Sequence, residues 1–166
     1  IKPAKAVPSN QNFTFVIDTK NVDQYIDLFN KDLNGFNNAN VSGRIDTKKN
    51  LLDLNADVPR FEYKNIVFNH VVVRGQGNLD SLSMIDSVGD VSINDSLHFP
   101  GTRIQLHSSN DLTSVQLVTS ASQTLNSANI SARVQTMPTG VKIIFEPSTF
   151  DINSKTWHID KDGQLA

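Results

Sequence analysis

The chain contains no cysteine, which excludes disulfides, thiolate metal sites and a cysteine nucleophile together and leaves stability to packing. Glutamate is nearly absent, with two residues against 15 aspartates. Glu favours helix, so its scarcity beside 28 Val and Ile and 11 Thr residues weights the composition toward β-structure. Neither charge sign dominates: 15 basic and 17 acidic residues give a net charge of -2. Neutralising a phosphate backbone needs a surplus of Lys and Arg on one face, so the composition argues against a nucleic-acid partner. Long apolar runs are missing too. The longest clusters, Ile66-Val67-Phe68 and Val71-Val72-Val73, fall far short of the roughly 18 residues of a membrane-spanning helix. What remains, 166 residues with 38% hydrophobic side chains, is enough for one domain with a real core.

Residues 1–166 therefore read as a single β-rich domain, with a strand plus a helix over 1–35 and a β-meander over 36–166. Phe13, Phe15 and Ile17 alternate with Thr14, Val16 and Asp18, the period of a strand buried on one face. Over 21–33 the period changes. Val22, Tyr25, Ile26, Phe29 and Leu33 fall at helical spacing, Asn21 can cap the start and Gly35 can end an amphipathic helix of about three turns. From Gly35 onward the period of two returns, as in Leu52/Leu54/Ala56/Val58 against Asp53/Asn55/Asp57. Turn residues separate the later runs at Pro100-Gly101, Asn110-Asp111, Pro138-Thr139-Gly140, Asn153-Ser154 and Lys161-Asp162-Gly163, so consecutive strands should pair antiparallel. Two stretches break the rule. Residues 65–74 are apolar on both parities, which predicts a strand covered on both sides, and the parity slips between Leu79 and Leu82, which predicts a bulge or break.

Such a sheet has one apolar face that demands a cover. Each aliphatic or aromatic side chain gains roughly 1.5 to 3 kcal/mol on burial, so some twenty of them left in water forfeit more than the roughly 5 to 15 kcal/mol that holds a domain folded. A helix of about 18 Å cannot roof ten strands spaced about 4.8 Å apart. Two architectures remain: a closed β-sandwich, or an elongated meander curled into a groove whose apolar interior suits acyl chains. The side chains that would line the groove are Ile93, Ile104, Leu106, Val115, Leu117, Ile130, Val134, Val141, Ile143, Phe145, Phe150, Ile152, Trp157 and Ile159. On its own, the lone Trp157 reads first as a core anchor.

Chemistry-bearing motifs are sparse, and no catalytic residue and no cofactor is expected. His70, His98, His107 and His158 lie far apart with no metal-ligand spacing, and neither the Asp46/Asp53/Asn55/Asp57 nor the Asp86/Asp90/Asp95 set has EF-hand spacing. Gly75-Gln76-Gly77 lacks the third glycine and following helix of a dinucleotide turn, and no Gly-x-Ser-x-Gly elbow occurs. The expectation is a binding or structural protein. A start at Ile1 without Met, basic n-region or apolar h-region suggests a piece of a longer protein, and cut sheet edges would promote self-association.

The segment Pro147-Ser148-Thr149-Phe150-Asp151-Ile152-Asn153-Ser154-Lys155-Thr156-Trp157-His158-Ile159, followed by Asp160-Lys161-Asp162-Gly163, resembles one that recurs in TamB-like proteins of Gram-negative envelopes. The amphipathic stretch Val22 to Leu33 leading into Val41-Ser42-Gly43-Arg44-Ile45, and then repeated amphipathic strands rich in Asn, Asp and Ser, is similar in kind to the wider AsmA and TamB group over about residues 20–166. The resemblance implies a slice of a periplasm-spanning protein anchored in the inner membrane. It also implies a stacked-sheet hydrophobic groove for phospholipid transport to the outer membrane, and protein assembly there beside a BamA-like barrel. The competing expectation is a structural or adhesive extracellular β-domain with a dry core.

Overall fold

A computed structural model describes residues 10–26, 28, 30–94, 97–121, 125–138, 140–160 and 164–165. About three quarters of them belong to one antiparallel sheet, and the long strands follow from unbroken stretches rich in Val, Ile, Leu and Ser. In chain order the elements are β1 (Asn12–Asp18), α1 (Asp23–Ile26), β2 (Leu33–Gly35), β3 (Asn40–Asp46), β4 (Leu51–Tyr63), β5 (Ile66–Gly77), β6 (Ser81–Asn94) and β7 (Leu97–Ser109). They continue as β8 (Leu112–Thr119), β9 (Leu125–Met137), β10 (Gly140–Phe145), β11 (Ser148–Ile152), β12 (Lys155–Ile159) and β13 (Gln164–Leu165). The sheet runs β1-β3-β4-β5-β6-β7-β8-β9-β10-β13, with β2 on β4 and the β11–β12 hairpin on β9. Among the described residues β1 pairs only with β3, so the sheet does not close into a barrel.

Two-residue turns set the register. Lys64-Asn65, Asn110-Asp111 and Asn153-Ser154 all have positive φ at both positions, the type I′ geometry whose twist matches flanking strands. The last two were legible in the sequence, and Lys64-Asn65 was not, since Lys carries no turn signal. Leu79 sits in the loop before β6, where Asn78 Oδ1 accepts from the Asp80 and Ser81 amides at 2.8 and 2.9 Å, so the expected break is present. The turn expected at Lys161-Asp162-Gly163 lies outside the described residues.

The three-turn helix over 21–33 does not form. Among the described residues only Asp23–Ile26 is helical, while Leu33 and Gly35 pair with Tyr63 and Phe61 as strand residues. Asp27 and Phe29 lie outside the described residues. The Asn30 side chain accepts from the Asp32 amide at 2.9 Å, and the Asp32 carbonyl accepts from Lys64 at 3.0 Å. These local and ladder bonds outcompete a short helix that has little to pack against. Asn37 Oδ1, not Asn21, accepts from the Val22 amide, at 2.8 Å.

Pro100-Gly101 is also not a turn; it lies inside β7. Pro59, His70, Gly89 and Gly101 stand at the same level of four neighbouring strands, and the ladder pairs the residues on either side of them but not these four. Each suits that role. Proline has no N–H to donate, His70 and Gly101 have φ of 53° and 65°, and a Cβ on Gly89 would lie 3.0 Å from the Cβ of His70. This crease resets the alternation, so that Val58, Val71 and Val88 on one side and Phe61, Phe68 and Val91 on the other belong to one apolar cluster with Ala39 and Phe36. The apolar face folds inward there: Val58, Val71 and Val88 are 5%, 9% and 7% exposed, and Phe36, Phe61 and Phe68 stack at centroid distances of 5.0 and 4.5 Å. The reset also accounts for residues 65–74. Ile66, Phe68, Val71 and Val73 share the apolar face without a second covering layer. Gly101→Val, which forces a β-branched residue into the left-handed region, is expected to lower stability by about 2 kcal/mol in urea denaturation.

The architecture is thus an elongated antiparallel meander curled into an open groove. A closed sandwich is ruled out by exposure: among the described residues no large side chain is fully buried, and Phe13, Ile17, Val141 and Trp157 are more than half exposed.

Candidate hydrophobic groove

Paired residues in an antiparallel sheet share a face, so the register itself builds the site. One row runs Phe15, Gly43, Leu54, Gly75, Met84, Leu106, Val115, Ala132 and Phe145, crossing nine strands without a polar side chain. Eight steps of about 4.8 Å make it roughly 38 Å long. A second row runs Ile17, Val41, Ala56, Val73, Asp86, Ile104, Leu117 and Ile130. The third runs Phe13, Ile45, Leu52, Gly77, Leu82, Ser108, Thr113, Val134 and Ile143, where the Ser108 and Thr113 hydroxyls satisfy each other at 2.9 Å. Two of the three glycines in the rows have side chains against them. The Phe15 ring lies over Gly43, where a Cβ would approach it to 2.5 Å, and Met84 and Leu54 flank Gly75.

Of the residues expected to line the groove, Ile104, Leu106, Val115, Leu117, Ile130, Val134, Ile143 and Phe145 fall in these rows. Val141 pairs with Thr136 on the same face, next to the third row. Phe150 and Trp157 form a separate pair beyond Ala128, stacked at 6.4 Å, with Ile159 and Ile152 on the same hairpin, where the register slips at Asp151/Ile152. Ile93 lies past the crease, apart from the others. Trp157 anchors no core: it is 54% exposed, because β12 has β11 as its only described neighbour. The groove also includes row members outside that expected set: those of β1, β3, β4, β5 and β6, together with Ser108, Thr113 and Ala132.

The opposite face is polar. A hollow of about 600 Å³ there is lined by Ser83, His107, Ser114 and Arg133 in one row and Ile85, Gln105, Gln116 and Ser131 in the next, with Met84, Leu106, Val115 and Ala132 between the two and Arg133 ion-paired to Glu146. Ser83 Oγ meets His107 Nδ1 at 2.8 Å, and Ser92 Oγ meets both Asp90 Oδ2 at 2.6 Å and His98 Nδ1 at 2.9 Å. In the second cluster the Ser92 hydroxyl donates to the Asp90 carboxylate, which also lies 3.4 Å from His98 Nδ1, so the three groups meet around one carboxylate oxygen and do not form the serine-to-histidine-to-aspartate chain of a nucleophilic triad. The Ser92 hydroxyl, and then His98, hold the Asp90 carboxyl below the usual range against the opposing effect of burial. Asp46 is held low first by the Lys49 amide, which donates to it at 3.0 Å, and then by Arg44; Asp151 is held low by Thr156 and Ser127. Asp86 behaves oppositely: burial raises its carboxyl above the usual range. The Asp86/Asp90/Asp95 set therefore does not converge, since Asp86 faces the apolar side, Asp90 the polar side, and Asp95 lies outside the described residues. No group of His, Asp and Glu able to hold a metal occurs among the described residues.

No described helix is long and apolar enough to cross a membrane. Comparison with known proteins finds no matching family model, no matching curated protein and no matching solved structure. The class defined by the fold and site is an open β-groove with one continuous apolar face.

Proposed function

We propose that this chain is a non-enzymatic segment of a TamB- or AsmA-like envelope protein whose apolar face carries phospholipid acyl chains across the periplasm to the outer membrane and serves protein assembly there. One observation carries the reading: three rows of side chains, one wholly and two mainly apolar, cross eight or nine strands, and no other described element covers them. Hydrocarbon laid on such rows removes apolar area from water on both partners at roughly 25 cal/mol per Å². The mechanism is passive. Apart from Asp86, positions along the rows offer similar contacts, so a chain slides without a deep well, while the headgroup stays in water and a gradient or partner sets direction. An inner-membrane anchor and docking to a BamA-like barrel belong to the same proposal and to other parts of the full protein. The competing reading, a structural or adhesive domain, loses the dry core it was built on.

Expression directed to a Gram-negative envelope, followed by native mass spectrometry, is expected to show phospholipid bound to the purified chain. A lipid-free dimer would instead mean that open edges or the apolar face serve self-association, and would overturn the reading.

A further inference from the structure

Asp86 is the one charged side chain in the three rows. Its neighbours across the strands are Val73 and Ile104, and along β6 on the same face they are Met84 and Val88. No titratable or charged side chain of β5 or β7 within two residues of these partners shares the face: β5 presents Val71, Val73 and Gly75 and β7 presents Thr102, Ile104 and Leu106. Asp86 Oδ1 is buried and has no hydrogen-bond partner. An acceptor in that position leaves its desolvation uncompensated, and hydrocarbon laid over it worsens the deficit unless the occupant brings a donor.

We infer that Asp86 makes the groove selective for amphiphiles that carry a protonated amine, the chemistry of an aminophospholipid headgroup. This rests on the proposed lipid path and adds its specificity. A protonated amine supplies both the missing donor and the opposite charge. A neutral head supplies at most a donor, and a carboxylate head meets like charge. The raised Asp86 carboxyl fits the same picture, because its charged form is destabilised in the empty protein and gains most from a cationic partner.

The test compares dodecylammonium, dodecanol and dodecanoate, each below its micelle concentration, displacing an apolar fluorophore from the intact chain at pH 7.5 and physiological salt. Wild type is expected to bind dodecylammonium about tenfold more tightly than dodecanol, and dodecanoate most weakly. Asp86→Asn should keep its dodecanol affinity and lose the ammonium advantage. Asn cannot carry the unfavourable buried charge, so this variant should fold at least as stably at neutral pH, which circular dichroism and urea denaturation verify. An advantage that survives in Asp86→Asn, or an equal affinity for ammonium and alcohol in wild type, overturns the selectivity and leaves the groove reading standing. Dodecanol affinity that rises as pH falls, with no ammonium advantage, also overturns it, since Asp86 would then be neutralised by a proton. If none of the three binds, the groove reading itself fails.

Discussion

Leu106→Asp is expected to abolish hydrocarbon binding while the sheet stays folded. Leu106 sits mid-row between Met84 and Val115, half-buried by its neighbours and covered by no other described element. In a closed core an added carboxylate would unfold the protein. Here the ion can stay hydrated in the empty groove, and the loss is confined to side-chain contacts at one strand position. Once hydrocarbon lies across the row the situation reverses, because a carboxylate facing acyl chain costs about 2.5 to 3.5 kcal/mol, or roughly two orders of magnitude in affinity. Dodecanol affinity should fall by about that factor with far-UV circular dichroism unchanged. Unchanged binding would show that hydrocarbon does not use this row, and unfolding would show a packed core where the structure has an open face.

Phe61→Ala is expected to be the most damaging truncation in the chain, at about 3 kcal/mol, while Trp157→Ala stays below about 1 kcal/mol. The intuition that the only tryptophan matters most is reversed by position. Phe61 stacks between Phe36 and Phe68 beside the crease, where the apolar face turns inward and the most buried valines gather. Trp157 touches Phe150 from an edge strand and is otherwise wet. At this chain length 3 kcal/mol corresponds to a fall in Tm of roughly 6 to 12 °C. Urea and thermal denaturation of the two variants check the order, and a larger loss from Trp157→Ala would move the core away from the crease.

Alternation made most of the sheet legible, because a period of two states both the element and the face. It failed where the phase changes without a turn. Pro100-Gly101 carries the same residue types as a loop, and only its alignment with Gly89, His70 and Pro59 on neighbouring strands makes it a crease, a lateral relation invisible along the chain. The helix over 21–33 failed for a related reason: the spacing of Val22, Tyr25 and Ile26 is real, but β4 offers Leu33 to Gly35 a ladder that outweighs a helix without a packing partner. The lining residues after Ile104 were readable for the same reason as the strands. Asp86 was not, since among so many aspartates nothing in the sequence marks the one that faces the apolar rows.

The absence of native cysteine allows a direct measurement of whether those rows are open. Leu106→Cys and Val115→Cys, compared with Val16→Cys on the exposed polar face, can each be labelled with a maleimide under native conditions, with and without dodecanol. An uncovered groove requires that both row positions react in the lipid-free protein within a few-fold of Val16→Cys and become protected when dodecanol is added. Row cysteines that stay unreactive without any ligand would mean that protein already occupies the face, and the groove would be a core.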